Sequence, residues 1–161
     1  ARDRGLTGAV LHMCYRENEL VDEIRTYLEE RPELEAHVLR HGSVPHGAME
    51  AVYNEADLFV QSSLREFSGY GLIEALACGA VPVVSDLPAN RVLTGDGRVG
   101  RLFPPGEPEA LGEALLEVAA GDLETLKDRA HAHFQNRLTY ERLAAKLEQI
   151  YESVLEKGVY S

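Results

Sequence analysis

Short apolar runs alternate with stretches whose apolar residues recur at helical spacing, and this alternation continues along most of the chain. Gly8 to Cys14 (GAVLHMC) reads as a first strand. Asn18 is placed to cap a helix that carries Leu20, Val21, Ile24, Tyr27 and Leu28, with Pro32 just past its end. Ala36 to His41 reads as a second strand, Gly42 to Pro45 as its exit loop, and His46 to Glu55 as a short helix with Met49, Val52 and Tyr53 inward. Leu58 to Val60 is a third strand, followed by the polar loop Gln61 to Phe67 and a helix over Tyr70 to Cys78 that Gly79 would stop in left-handed geometry.

Val81 to Val84 forms a fourth strand, apolar throughout as a sheet covered on both faces requires. Pro82 places that strand at an edge, or itself at the strand's first residue. Ser85 to Pro108 is rich in glycine and proline, with a short strand at Val99 to Phe103. Pro108 opens a helix carrying Leu111, Ala114, Leu115 and Val118, and Asp122 and Thr139 are caps for two more. The last shows Tyr140, Leu143, Ala144, Leu147, Ile150, Tyr151 and Val154 on one helical stripe. Strands alternating with helices predict an α/β domain: a parallel sheet with helices on both faces and ligands outside the carboxyl ends of the strands.

Candidate chemistry concentrates after the third strand. Gly69 and Gly71 flank Tyr70 at the start of a helix, where free backbone N–H groups carry partial positive charge and missing side chains let a phosphate approach. The same glycines would also serve a tight strand-to-helix turn. Glu74, among Leu72, Ile73, Ala75, Leu76 and Ala77, lies on a helix with little solvated surface, so its carboxylate needs a cleft role such as accepting hydrogen bonds from a ribose diol. Glu66, beside Arg65 in the preceding loop, is a second hydroxyl acceptor or a surface ion-pair residue. An acid–base pair of the glycosidase kind fits poorly. Eight residues at helical rise span about 12 Å, against the roughly 5–9.5 Å such pairs use.

The run Glu66-x7-Glu74 followed by ALACGAVPVV resembles the carboxyl-terminal, donor-binding domain of the retaining GT-B glycosyltransferases, the group 1 type. Leu39 to Pro45 (LRHGSVP), Tyr53 to Val60 (YNEADLFV) and Gly100 to Gly106 (GRLFPPG) on to Leu115 extend the likeness, which covers about residues 8 to 120 in order. It implies a Rossmann-like fold and transfer of a sugar from a nucleoside-diphosphate sugar to an acceptor hydroxyl. Glu66 would contact the donor sugar as the catalytic glutamate, and Glu74 the ribose. The amides around Ser68, Gly69, Tyr70 and Gly71 would hold the diphosphate, and the backbone near Ser43 and Val44 would meet the base.

The chain also departs from that pattern. The Arg and Lys that members carry on the domain's first strand–loop–helix unit have no counterpart, and Met13 to Glu17 lacks the family's glycines. The resemblance therefore implies one domain, residues 1–161, without its first unit. Residues 139–157 would form a helix packing towards an amino-terminal acceptor-binding domain that is not in this sequence, so the isolated chain is expected to be inactive. A nucleotide-sugar epimerase domain and a non-catalytic binding or scaffolding module of the same fold are the alternatives.

Composition narrows the field. A chain of 161 residues, 45% hydrophobic and 27% charged, is the size and make-up of one globular domain. A net charge of −11 argues against broad nucleic-acid binding and against adsorption to an anionic membrane. No apolar run approaches the roughly 20 residues of a membrane helix, and the start of the chain has no signal-peptide layout, so a cytoplasmic domain is expected. Cys14 and Cys78 form no metal or redox spacing and are expected to be buried thiols. No metal or cofactor is expected. His131 and His133 fall on opposite sides of a helix. Among His12, His37, His41 and His46, the last two could border the nucleotide loop. Asp86 and Arg91 are more readily explained as loop structure than as cleft lining.

Overall fold

The computed structural model describes residues 6, 8–15 and 20–156. The cap expected of Asn18, residues 16 and 17 of the Met13–Glu17 segment and residue 157 lie outside them. Along the chain come β1 (Leu11–Cys14), α1 (Leu20–Glu29), α2 (Pro32–Glu35), β2 (Val38–Gly42) and α3 (His46–Glu55). There follow β3 (Leu58–Gln61), α4 (Tyr70–Ala77), β4 (Val81–Ser85), α5 (Pro88–Thr94) and β5 (Arg101–Phe103). Three longer helices close the order: α6 (Pro108–Ala119), α7 (Leu123–Arg137) and α8 (Tyr140–Glu156).

All strand pairing among the described residues is parallel, as the alternation predicts, but it forms two sheets instead of one. β1 pairs with β2, and β3, β4 and β5 pair in that order with β4 in the centre. The division follows the side chains. Leu11 and Leu39 stay half exposed and His12, Arg40 and His41 interrupt the apolar run, whereas every residue of β4 is buried. Cys14, expected to be buried, is exposed for the same reason, and Cys78 is half-buried.

β4 alternates its side chains between two cores. Val84 packs with Leu72 and Leu76 of α4, Val99 and Ala130 of α7. Val81 and Val83 pack with Phe103 and with Ala114 and Val118 of α6. Burying each such aliphatic side chain contributes about 1.5–3 kcal/mol, so helices cover both faces of β4.

Pro82 corrects an expectation: it is neither on an edge strand nor the first residue of β4. The N–H of Val81 donates to the Asp57 carbonyl on the β3 side. The next nitrogen therefore turns towards β5, whose ladder begins only at Val83 opposite Arg101. The N–H that proline lacks costs no ladder bond there.

The Gly- and Pro-rich segment after β4 holds a helix that periodicity did not show. Pro88 occupies the first turn of α5, and Gly95 ends it at φ 63°. That pairing of proline at the start and glycine past the end was the available signal. α2 likewise starts on Pro32, which the pattern marked only as the end of α1. Asp122 caps α7 as expected, accepting from the Thr125 N–H at 3.2 Å. His131 Nδ1 donates to the Ala77 carbonyl at 2.7 Å and His133 Nε2 to the Leu93 carbonyl at 2.9 Å, so the two histidines tie α7 to α4 and α5. The apolar stripe of α8 is uncovered: Leu147 and Ile150 are about half exposed and Tyr140 is 90% exposed. Among the described residues no helix is long and apolar enough to cross a membrane.

Candidate functional site

The carboxyl end of β3 delivers the chain into the loop that carries Glu66. Gln61, the polar end of an otherwise apolar strand, donates through Nε2 to Glu66 Oε2 at 2.7 Å. The other oxygen, Oε1, accepts from the N–H groups of Phe67 (2.9 Å), Ser68 (3.0 Å) and Gly69 (3.0 Å). These amide bonds, that of Gly69 first, hold the Glu66 carboxyl below its usual range. Glu66 is thus an ionised acceptor that folds its own loop, with free lone-pair capacity left chiefly on Oε2.

Gly69 then turns the chain at φ 62°, and a Cβ there would overlap the Leu93 side chain. Its carbonyl accepts from Ile73 at 3.0 Å, which starts α4 without any side-chain cap. The first N–H groups of a helix have no intrahelical partner, so the amides of Tyr70 and Gly71 remain to meet an anion. Those of Ser68 and Gly69, expected to do the same, are turned onto Glu66 in this structure.

Glu74 faces elsewhere. Its Oε1 lies 3.5 Å from His46 Nδ1 at the start of α3, and burial, then the neighbouring Glu74 charge, push the pKa of Tyr53 up to about 12. His46, Met49, Tyr53, Glu74, Cys78 and Tyr140 line one cleft of about 480 Å³ between α3 and α4, within the ordinary range for small-molecule sites. Ser43, exposed, and Val44, half-buried, lie in the loop just ahead of α3. The structure therefore brings Glu66 together with Ser68 and Gly69, and Glu74 together with His46 at the start of α3. The two glutamates hold different partners.

Of the histidines near strand ends, His46 alone among the described residues meets a candidate carboxylate. His12 and His41 stack on each other with ring nitrogens 3.1 Å apart, and His37 Nδ1 meets the Ala9 carbonyl. Asp86 and Arg91 pair with each other at 2.5 Å. No group of three or more potential metal ligands occurs among the described residues.

Sequence reasoning missed Gln61, which had a signal. A glutamine closing an apolar strand at its ligand-facing end carries polar atoms that burial obliges to find partners.

Comparison with known proteins bears on this geometry. Residues 9–137 match the family model described as glycosyl transferases group 1. The phosphatidyl-myo-inositol mannosyltransferase of Mycobacterium leprae (strain TN) is 33% identical over 126 residues, 76% of this chain and 33% of the relative. Its namesake from Mycolicibacterium smegmatis is 29% identical over 145 residues, 86% of this chain and 36% of the relative. The chain thus spans about a third of the length of these relatives. Among solved structures, sucrose-phosphate synthase from Thermosynechococcus elongatus superposes with a TM-score of 0.73 at 23% identity, over 91% of this chain and 39% of that one. TarM gives 0.72 at 19%, over 93% and 30%. These structures share the Rossmann-like half of the GT-B fold. By its sequence match along most of its length, the chain belongs to the glycosyl transferases group 1 family.

Proposed function

We propose that this chain is the donor-binding half of a retaining glycosyltransferase that moves a sugar from a nucleoside diphosphate to an acceptor hydroxyl. One observation carries the reading: two carboxylates stand on either side of the uncapped start of α4, each committed to a different set of neighbours. Glu74, in the cleft, accepts the ribose hydroxyls. The amides of Tyr70 and Gly71 meet the diphosphate at the positive end of the helix. Glu66 uses its remaining lone pairs on the sugar hydroxyls, and Ser68 and Gly69 join the phosphate contacts when it turns from its own loop. The backbone of Ser43 and Val44 borders the base.

In the reaction the bond from the anomeric carbon to the diphosphate oxygen breaks, the acceptor oxygen bonds that carbon on the same face, and the acceptor proton leaves with the diphosphate. Fixed amides aimed at the departing charge lower that barrier without reorganisation. The apolar stripe of α8 is covered by the part of the protein that binds the acceptor. Likeness to the named mannosyltransferases makes mannosyl transfer to the inositol of a phosphatidylinositol the first reaction to assay.

Calorimetric titration of the intact protein with UDP, GDP and ADP tests the donor site, and absence of binding by all three at millimolar concentration would sink it. Glu74→Ala should weaken the nucleotide that binds by roughly tenfold and leave inorganic diphosphate unchanged. Equal losses for both ligands contradict the ribose assignment. Conversion of the donor sugar with no acceptor present would instead identify an epimerase.

A further inference from the structure

The Glu66 carboxylate is held by two kinds of donor. Oε1 takes the amides of Phe67, Ser68 and Gly69, all within three residues of it in the loop. Oε2 takes Nε2 of Gln61 at 2.7 Å, and Gln61 belongs to a strand. It closes β3 in register with Val84 of the central strand, and its carbonyl accepts from the buried Ser85 hydroxyl at 3.4 Å. A carboxylate only accepts, so this contact fixes which way the Gln61 amide faces. Its Oε1 is left buried with no hydrogen-bonding partner among the described residues. A buried acceptor without a donor is destabilising, and a methionine would fill similar space without that loss. What Nε2 does for Glu66 is the reason for an amide at this position.

We infer that Gln61 is a positioning residue for Glu66: anchored at the end of β3, it keeps Oε2 in place when the Ser68 and Gly69 amides turn to the diphosphate, and the freed Oε1 then accepts from the donor sugar. This rests on the reading of Glu66 as the sugar contact. The two kinds of donor divide the work. Loop amides, that of Gly69 first, do most to hold the carboxyl below its usual range, and Gln61 adds least. Charge therefore comes from the loop and position from the strand. A group held from a strand is placed more tightly than one held only by its own loop. An acceptor fixed before the ligand arrives also loses less freedom on binding. Without Gln61, a Glu66 that has released its amides turns into water, and the sugar hydroxyls meet no fixed acceptor.

The intact protein is titrated with UDP-glucose, GDP-mannose and ADP-glucose, each against its own nucleoside diphosphate, and the readout is the ratio of the two dissociation constants. Gln61→Met should raise that ratio by about three- to tenfold, the worth of one hydrogen bond, and leave the nucleoside diphosphate within about twofold of the wild type. Gln61→Glu sets a carboxyl against Oε2. Because the loop amides keep Glu66 ionised, the introduced group takes the proton, with its pKa raised above the usual value of about 4.3. Protonated, it donates as the amide does; ionised, it repels Glu66. Measured against the wild type at each pH, its ratio should match near pH 5 and rise severalfold by about pH 8. This variant carries its own control and stands in if Gln61→Met folds poorly. A wild-type ratio in folded Gln61→Met, when Glu66→Ala has changed it, overturns the role of Gln61 alone. So does the same ratio at both pH values in Gln61→Glu, or equal weakening of sugar nucleotide and nucleoside diphosphate. An unchanged ratio in Glu66→Ala, or no nucleotide binding at all, removes the reading of Glu66 and this inference with it.

Discussion

Two residues of the site titrate in opposite directions, which gives each a signature in stability against pH. Tyr53 has its folded pKa raised from about 10 to about 12, chiefly by burial and then by Glu74. The unfolded chain loses that proton first, so the contribution is complete below pH 10 and vanishes as pH rises towards 12. Urea unfolding from pH 9 to 12 should show an alkaline loss of about 2 kcal/mol in the wild type that Tyr53→Phe lacks. For Glu66 the folded value is lowered, mainly by the Gly69 and Ser68 amides. Its contribution is present above the unfolded value of about 4.3 and is lost as pH falls through the lower folded one. Glu66→Gln should flatten this acid limb, and an unchanged midpoint difference between pH 3 and pH 7 would show that the loop does not depend on the charge. Both residues were in view from the sequence. Their surroundings were not, because Gln61 at the end of β3 reaches Glu66 and the packing that buries Tyr53 near Glu74 arises only in the fold.

At the scale of elements, α4 and β4 are the frame on which the site is mounted. Their apolar residues were legible because a helix buried on most of its surface and a strand covered on both faces must be apolar nearly throughout. Leu76→Ala, at a position with no exposed surface, should cost about 2–5 kcal/mol by calorimetric melting. Gly100 tests the approach of β5 to β4, since a Cβ there would overlap the Pro82 carbonyl and ring. Gly100→Ala should cost about 1–3 kcal/mol, whereas Gly112→Ala, where a Cβ meets open space on α6, should be neutral or stabilising. α5 escaped the pattern because its inward groups are polar. Asn90 and Thr94 are fully buried, and Asn90 Nδ2 donates to the Ser85 carbonyl at 2.8 Å while Thr94 Oγ1 donates to that of Asn90 at 2.7 Å. Hydrophobic periodicity cannot register a helix anchored by hydrogen bonds.

At the scale of the whole molecule, α8 is the element that the rest of the chain leaves unexplained. Its stripe from Tyr140 to Val154 follows helical period as closely as any in the sequence, yet none of its residues is buried. Under the proposed function the remaining two-thirds of a full-length protein covers it. Leu147→Lys should then change the stability of the 161-residue chain by no more than about 0.5 kcal/mol, and lower the melting temperature of the intact protein by several degrees. Equal, small effects in both would mean that nothing docks on this face. The site obeys the same logic. Glu74 lines one wall of a cleft, and an acceptor needs another.

The sequence by itself determined the alternation of strands and helices apart from α2 and α5, the apolar frame of α4, β4 and α6 and the turn at Gly69, because periodicity and backbone geometry act over a few neighbouring residues. The family came from the resemblance of its motifs. Only the tertiary structure decided that the strands form two sheets, that Pro82 sits inside a central strand, and that His46 meets Glu74. Each of these depends on which segments distant along the chain come within a few ångströms of one another. Local pattern carries no record of that.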